Sequence, residues 1–222
     1  MANRAFRFTK GLVGGGATLL AAVIGMAGLT GCGAPQYTYV SDSAAKAYFK
    51  VPYGWHEISQ SALAQALDTS GTGVWVSAFG AGPAESSGDV FSFDVDQPFV
   101  LAEIGTLNST ASDALSYNGL EDVFLPVTSQ ARSADSGKLP VTNFQLLHQG
   151  TLTPGSHGVH GVRVTYDYTY EDGTADTFDQ VALTNADQTQ VYLLVVHCTT
   201  SCYSHNQKAI DDILSSFTVG SP

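Results

Sequence analysis

The sequence predicts an α+β fold, in which an antiparallel β-sheet lies between helices on both of its faces. Three segments near the C-terminus support this prediction. Residues 162–170 alternate apolar and polar side chains, as in a strand with one buried face. Residues 190–198 are apolar on both sides, so both faces of that strand need cover. Residues 210–217 place apolar side chains on one helical stripe that can provide such cover.

In the N-terminal half of the domain, the sequence predicts shorter elements. In chain order these are a strand at 37–40, two strands around a turn in 47–59, a helix at 59–68, a strand at 74–79 and a helix from Thr110 toward Phe124. Residues 100–107 fit either a strand or the start of a helix. Residues 80–98 and 128–140 are polar and are expected to form exposed loops.

Three strands in the C-terminal half are predicted to form a meander. Turns at 171–173 and 186–188 connect residues 162–170, 176–184 and 190–198. The side chains predicted on one face of the first strand are Val162, Val164, Tyr166, Tyr168 and Tyr170. Those on its polar face are Arg163, Thr165, Asp167 and Thr169.

A final helix is predicted after the meander. Ser204 and Gln207 have the spacing of a capping pair. The apolar stripe that follows is Ile210, Ile213, Leu214 and Phe217, with Asp211 and Asp212 directed to water.

The N-terminus carries the pattern of export and lipid attachment. Three basic residues precede an uncharged run at 11–30, and residues 29–32 at its end are Leu-Thr-Gly-Cys. A cationic start followed by an apolar stretch predicts an export signal, and the final tetrapeptide resembles the lipobox of bacterial lipoproteins. By that resemblance, the thiol of Cys32 carries a diacylglyceryl group, and a peptidase cuts between Gly31 and Cys32.

A membrane-spanning helix is the alternative for the apolar run, because about 20 residues at 1.5 Å each cover the roughly 30 Å hydrocarbon core. Its glycines disfavour a helix, and no positive cluster follows it to stop transfer. We therefore predict a removed signal peptide at 1–31, a lipidated tether at 32–36 and one globular domain at 37–220. The expected location is the cell membrane, on its extracytoplasmic face.

The acidity of the chain limits its partners. Removal of residues 1–31 takes away three of the nine basic residues and none of the twenty acidic ones, which leaves a formal charge of −14. This charge argues against nucleic acid as a partner and against docking on acidic lipid headgroups. A cationic ligand, calcium or a basic protein stays compatible with it, although acidity also serves solubility alone.

Two cysteines remain besides Cys32. Cys198 and Cys202 are expected to pair in an oxidising compartment, because a three-residue gap brings two Cα atoms within the roughly 4.4–6.8 Å that a disulfide needs. The alternatives are unpaired thiols, or a metal or redox site completed by His197 and His205. A strand side chain at 197 points away from 198, which disfavours the four-ligand site.

Other polar clusters contain side chains that can bind metal ions, but their spacing matches no metal-binding motif. His157 and His160 lie among Gly and Ser residues, as in a solvated loop. Two aspartate trios offer oxygen ligands for calcium but lack the EF-hand spacing, so we interpret them as solvated and expect no cofactor. The trios are Asp89, Asp94 and Asp96, and Asp172, Asp176 and Asp179.

Two separated stretches resemble the PsbP-like superfamily, and within it the LpqN/LpqT-type lipoproteins of actinobacteria. Phe49, Pro52, Gly54 and Trp55 match its early Phe-x-x-Pro-x-Gly-Trp turn. Its terminal helix ends in Ser-Phe-x-Val, which is matched by Ser216, Phe217 and Val219. The resemblance implies a three-layer sandwich and a mostly non-enzymatic role in binding or assembly.

The function expected from these observations is a membrane-anchored, non-enzymatic accessory module with an envelope protein as its partner. Contact is expected on the polar face of residues 162–170 and at the loops 80–98 and 128–140. A lipid or small-molecule carrier is the second hypothesis, with Trp55, Trp75, Tyr166 and Tyr168 lining a pocket. An envelope hydrolase is the third, although no G-x-S-x-G elbow is present.

Overall fold

A computed structural model of the chain describes residues 36–44, 46–67, 74–82, 96–155 and 157–220. Within these ranges the elements, in chain order, are β1 (Tyr37–Asp42), β2 (Ala47–Pro52), β3 (His56–Glu57), α1 (Gln60–Leu67), β4 (Val74–Gly80), β5 (Phe99–Thr106), α2 (Ser109–Ala114), α3 (Tyr117–Glu121), α4 (Ser129–Ala134), β6 (Val141–Leu152), β7 (His160–Tyr170), β8 (Ala175–Thr184), β9 (Gln190–Thr199), α5 (Thr200–Ser215) and β10 (Thr218–Val219).

Seven strands form the central sheet, in the order β3-β4-β5-β9-β8-β7-β6. Every neighbouring pair is antiparallel. The predicted meander is confirmed as β7, β8 and β9, and residues 99–106 are a strand rather than a helix start. A smaller sheet has the order β1-β2-β10. No helix in the described ranges has the length and apolar character needed to cross a bilayer.

The first face of the central sheet is covered by α1 and by the segment that contains α3. The predicted alternation in β7 is confirmed, because its valines and tyrosines all lie in one buried cluster with Leu63, Leu120 and Leu125. Gln180 is fully buried on this face. Its side-chain amide donates hydrogen bonds to the carbonyl oxygens of Leu120 and Glu121, at 3.2 and 2.7 Å. These bonds fix the end of α3 on the sheet and satisfy a polar group that would be costly to bury alone.

The second face is covered by α5 together with the small sheet. The predicted stripe of Ile210, Ile213, Leu214 and Phe217 is buried there. Alternate side chains of β2 join the same cluster. The three-layer α+β architecture is therefore confirmed, with one layer composed of a helix and a short sheet side by side.

Two predicted helix starts are wrong. The side chain of Thr199 accepts a hydrogen bond from Cys202 N and caps α5, so this helix starts four residues before Ser204. Asn108 caps α2, and Ser116 caps a separate α3, where the sequence predicts one helix from Thr110. Ser, Thr, Asn and Asp all favour this position, so several neighbouring candidates compete in each case.

Candidate binding surface

The predicted lipidation and cleavage site lies outside the described residues. Gly31 and Cys32 both precede residue 36, where the description begins. Lipid attachment at Cys32 therefore stays a prediction.

The cysteine pair joins the end of β9 to the first turn of α5. Cys198 and Cys202 form a disulfide, with Cα atoms 5.9 Å apart. His197 lies on the opposite side of β9, where its ring stacks on that of Phe178 at 5.1 Å between centroids. The alternative four-ligand site is therefore not assembled. In the described part of the chain, no three His, Cys, Asp or Glu side chains are placed to hold a metal ion.

The second aspartate trio is separated by the sheet. Asp176 is buried on the first face, with Oδ2 3.8 Å from Nδ1 of His197. Asp179 is buried on the second face, and Asp172 lies in the exposed turn after β7. The interpretation of these carboxylates as solvated is therefore wrong for Asp176 and Asp179. Their separation prevents them from sharing one calcium ion. Of the other trio, only Asp96 lies in the described ranges.

The polar face of β7 is only partly exposed, because Thr165 is buried and Arg163, Asp167 and Thr169 are half-buried. The guanidinium of Arg163 donates two hydrogen bonds to Asp179, at 3.0 and 2.7 Å. It also contacts Asp211 of α5 at 2.5 Å. These two carboxylates raise the pKa of Arg163 above its ordinary value. The hydroxyl of Tyr203 donates a further bond to Asp179 at 2.8 Å. Arg163 of the expected contact face is therefore engaged in an internal ion-pair network.

The segment 128–140 forms the wall of a hollow beside the edge strand β6. It contains the short helix α4, where the sequence predicts only a loop. The guanidinium carbon of Arg132 lies 4.0 Å from the ring centroid of Phe144, in the range of a cation–π contact. The hollow has a volume of about 200 Å³. Its lining includes Pro126, Arg132, Asp135, Leu139, Phe144 and Tyr168.

Hydrogen bonds from the body of the domain fix this wall. One carboxylate oxygen of Asp122 accepts from the backbone N–H groups of Val127 and Thr128, at 2.7 and 2.8 Å. Its other oxygen accepts from the Thr128 hydroxyl at 2.7 Å. Thr128 in turn caps α4. The hydroxyl of Tyr168 donates to the carbonyl oxygen of Pro126. Burial raises the pKa of Tyr168 to about 12, so this donor keeps its proton at physiological pH.

Strand β6 forms an open edge of the central sheet next to the hollow. Within the described ranges no strand pairs with its outer side. Its register with β7 shifts between Leu146 and His148, as at a β-bulge. Leu146 and Leu147 are 44% and 46% exposed. An unpaired edge offers free backbone donors and acceptors to another chain, and two exposed leucines add apolar area. This strand is not among the elements predicted from the sequence.

One short motif that is typical of some serine enzymes lies in an exposed turn. Ser43 and Lys46 have the S-x-x-K spacing of some serine enzymes. Both are exposed in the turn between β1 and β2. Such an exposed position differs from the desolvated surroundings in which a lysine acts as a base.

Comparison with solved structures identifies the fold. Cyanobacterial PsbP (CyanoP) from Synechocystis sp. PCC 6803 matches over 88% of this chain and 99% of its own, with 14% identity and a TM-score of 0.53. The chain has a PsbP-like fold. No protein-family model matches the sequence, and no curated protein sequence matches it significantly.

Two further solved structures resemble the PsbP-like domain less closely. LpqN, involved in cell envelope biogenesis of Mycobacterium tuberculosis, is 16% identical over 84% of this chain and 91% of its own, with a TM-score of 0.47. The Ran-binding protein Mog1p of Saccharomyces cerevisiae is 7% identical over 82% of this chain and 95% of its own, with a TM-score of 0.45.

The two stretches that carry the sequence resemblance meet in the small sheet of the PsbP-like domain. The rings of Phe49 and Phe217 contact each other edge to face, with centroids 6.4 Å apart. The backbone N–H of Lys50 donates to the hydroxyl of Ser216 at 3.0 Å. Val219 pairs with Ala47. These residues close the layer over the second face, so their role in this structure is packing.

Proposed function

We propose that this chain is a lipoprotein anchored through Cys32 on the extracytoplasmic face of the cell membrane, and that its PsbP-like domain is a non-enzymatic accessory module for another envelope protein. The cationic start, the apolar run and the Leu-Thr-Gly-Cys sequence support the anchor. One observation carries the binding function: an open sheet edge lies beside a hollow whose wall is fixed in the free protein.

The chemistry of this surface fits a protein partner. An extended segment can add to the outer side of β6 through backbone hydrogen bonds, while its side chains contact Leu146, Leu147 and the hollow. Arg132 offers a cation beside an aromatic ring, and arginine is enriched where binding energy concentrates. Because the wall is already hydrogen-bonded in place, little conformational entropy is lost on binding there.

The carrier hypothesis receives less support from the geometry. Tyr166 and Tyr168 belong to the cluster on the first face, whereas Trp55 and Trp75 pack against the cluster on the second. The four aromatic residues therefore share no pocket. Three hollows on the described surface have volumes of about 200, 270 and 290 Å³, and each is below the roughly 300–1,000 Å³ typical of small-molecule sites.

Site-specific crosslinking in the native envelope tests the binding function. A photoreactive phenylalanine analogue placed at Leu147, or at Ser133 of α4, is expected to give a crosslinked product with one partner protein. The matched control is Val74, an apolar strand residue of comparable exposure on β4. The double substitution Leu146→Ser/Leu147→Ser should weaken the crosslink at position 133. Products that are equally abundant from all three positions, or absent from both 147 and 133, would contradict this function.

The anchor is tested separately. Cys32→Ser should leave the chain unprocessed and without lipid, because only the cysteine thiol forms the thioether. The masses of the purified wild-type and Cys32→Ser proteins measure both properties. A wild-type protein with an unmodified sulfur at Cys32 would contradict the anchor.

A further inference from the structure

Three exposed tyrosines lie on the small sheet or in the turn directly after its strand β2. Tyr39, Tyr53 and Tyr48 are 80%, 64% and 37% exposed. Tyr39 lies opposite Lys50, and Tyr48 lies opposite Ser41, in the β1–β2 pair. Residues directly opposite each other share a face of the sheet, so Tyr39, Tyr48 and Lys50 lie on the face of the small sheet that is opposite to the buried side chains of Phe49 and Val51. We call Tyr39, Tyr48, Lys50 and Tyr53 the tyrosine face.

The tyrosine face lies where the tether joins the domain. The backbone N–H of Tyr53 donates to the carbonyl oxygen of Gln36 at 2.9 Å, and β1 starts at the next residue. Five peptide units separate Cys32 from Tyr37, so their Cα atoms can lie at most about 18 Å apart. Acyl chains on Cys32 would therefore hold the start of β1 close to the lipid headgroups.

Local charge also distinguishes this side of the domain. Three of the six basic residues that follow the predicted signal peptide lie around the small sheet: Lys46, Lys50 and Lys208. Lys50 Nζ is 4.1 Å from the ring centroid of Tyr37, and the hydroxyl of Tyr37 is 3.4 Å from Asp212, which pairs with Lys208. The chain as a whole is strongly acidic, and these three cations reduce the repulsion that it meets at an anionic surface.

We propose that the tyrosine face rests on the bilayer surface, with Tyr39 and Tyr53 at the level of the lipid headgroups. This inference depends on the lipid anchor proposed above. Tyrosine suits that level because its ring is apolar and its hydroxyl stays hydrated. The opposite layer, with α3, α4 and the hollow, then faces away from the membrane toward partner proteins.

Spin labels of known position test the orientation. Tyr39→Cys and, as a matched control, Tyr117→Cys each introduce one labelling site at an exposed tyrosine. Tyr117 is 44% exposed and lies on α3 in the opposite layer. Each variant is purified as the mature protein, and mass spectrometry establishes whether Cys32 is lipidated. It is then labelled and reconstituted in phosphatidylcholine vesicles that contain phosphatidylglycerol. Collision of the label with an aqueous nickel chelate and with oxygen measures its depth.

The label at position 39 is expected to lose most of its collisions with nickel chelate and to gain collisions with oxygen, while the label at 117 stays accessible to water. A lipidated protein with both labels in water, or with both equally shielded, would overturn the inference and leave the anchor intact. A protein with no lipid on Cys32 would contradict the proposed function and this orientation together.

Discussion

Replacement of Arg163 by methionine should show how strongly the internal ion-pair network stabilises the domain. Methionine retains much of the apolar part of the side chain but leaves Asp179, whose side chain is fully buried, without its cation. The carboxylate then keeps one donor, the hydroxyl of Tyr203 at 2.8 Å. Because a buried charge has lost its hydration, the absence of a counter-ion destabilises the folded state.

The exposure of the three charged side chains determines how much the free energy of unfolding is expected to fall. Arg163 is 24% exposed, Asp179 is 0% exposed and Asp211 is 46% exposed. The contact with Asp211 is screened by solvent and contributes at most about 1 kcal/mol. Removal of one partner from a buried pair costs about 3–5 kcal/mol. Since Arg163 is itself partly hydrated, Arg163→Met should lower the free energy of unfolding by about 3 kcal/mol, the lower end of that range.

Urea denaturation followed by tryptophan fluorescence measures this loss. The double variant Arg163→Met/Asp179→Asn removes the unpaired charge and should be more stable than Arg163→Met alone, by about 1–2 kcal/mol. Lys208→Met is the control, because it removes the cation of an exposed pair with Asp212, and no measurable loss is expected. A loss below about 0.5 kcal/mol in Arg163→Met, or strict additivity in the double variant, would refute the reasoning.

Three further substitutions test other parts of the structure. Cys198→Ser/Cys202→Ser should lower the free energy of unfolding by about 2 kcal/mol, as loop-closure entropy predicts for so short a ring; urea denaturation that is identical to wild type would contradict this. Tyr168 has a pKa of about 12 when folded and 10 when exposed, so its contribution to stability is complete below about pH 10 and is lost as the pH rises through about 12. Circular dichroism should therefore show a shallower alkaline loss of stability in Tyr168→Phe, and an unchanged slope would count against the buried donor. Asp122→Ala should speed tryptic cleavage after Arg132, because the bonds at Val127 and Thr128 are lost; equal cleavage rates would show that Asp122 does not fix the wall.

Segments with a strong hydrophobic period were predicted well. The valines and tyrosines of β7 repeat every second residue, and α5 places its stripe at helical spacing, so a single buried face explains each pattern. Strand β9 is apolar on both sides, and the structure covers it on both. The short gap between Cys198 and Cys202 made their pairing predictable without knowledge of the fold.

Segments that lie at the surface were missed. All residues of β6 are exposed or half-buried, and register shifts after Val141 and after Leu146 interrupt the alternation of its side chains, so no clear period marks this strand. Helix α4 has six residues, too few to show a helical period. The coverage of Arg163 by α5 depends on how two distant elements pack, which a local pattern does not encode.

The binding surface could be predicted only in outline. The sequence indicates segment 128–140 as a contact region from its polarity alone. Its wall depends on Asp122, Thr128 and Tyr168, which come from three separate elements. A spacing of six residues between Asp122 and Thr128 has no established local meaning, so only the folded chain shows that the two are bonded.

The pairing of β10 with β2 has a consequence for biogenesis. Lys50 and Ser216 are 166 residues apart in the chain, yet they are hydrogen-bonded in the finished layer. During synthesis the N-terminal part leaves the ribosome long before residue 219 does. The layer against Phe49 stays open throughout that interval, and a chain whose synthesis stalls would present an apolar surface to chaperones and proteases.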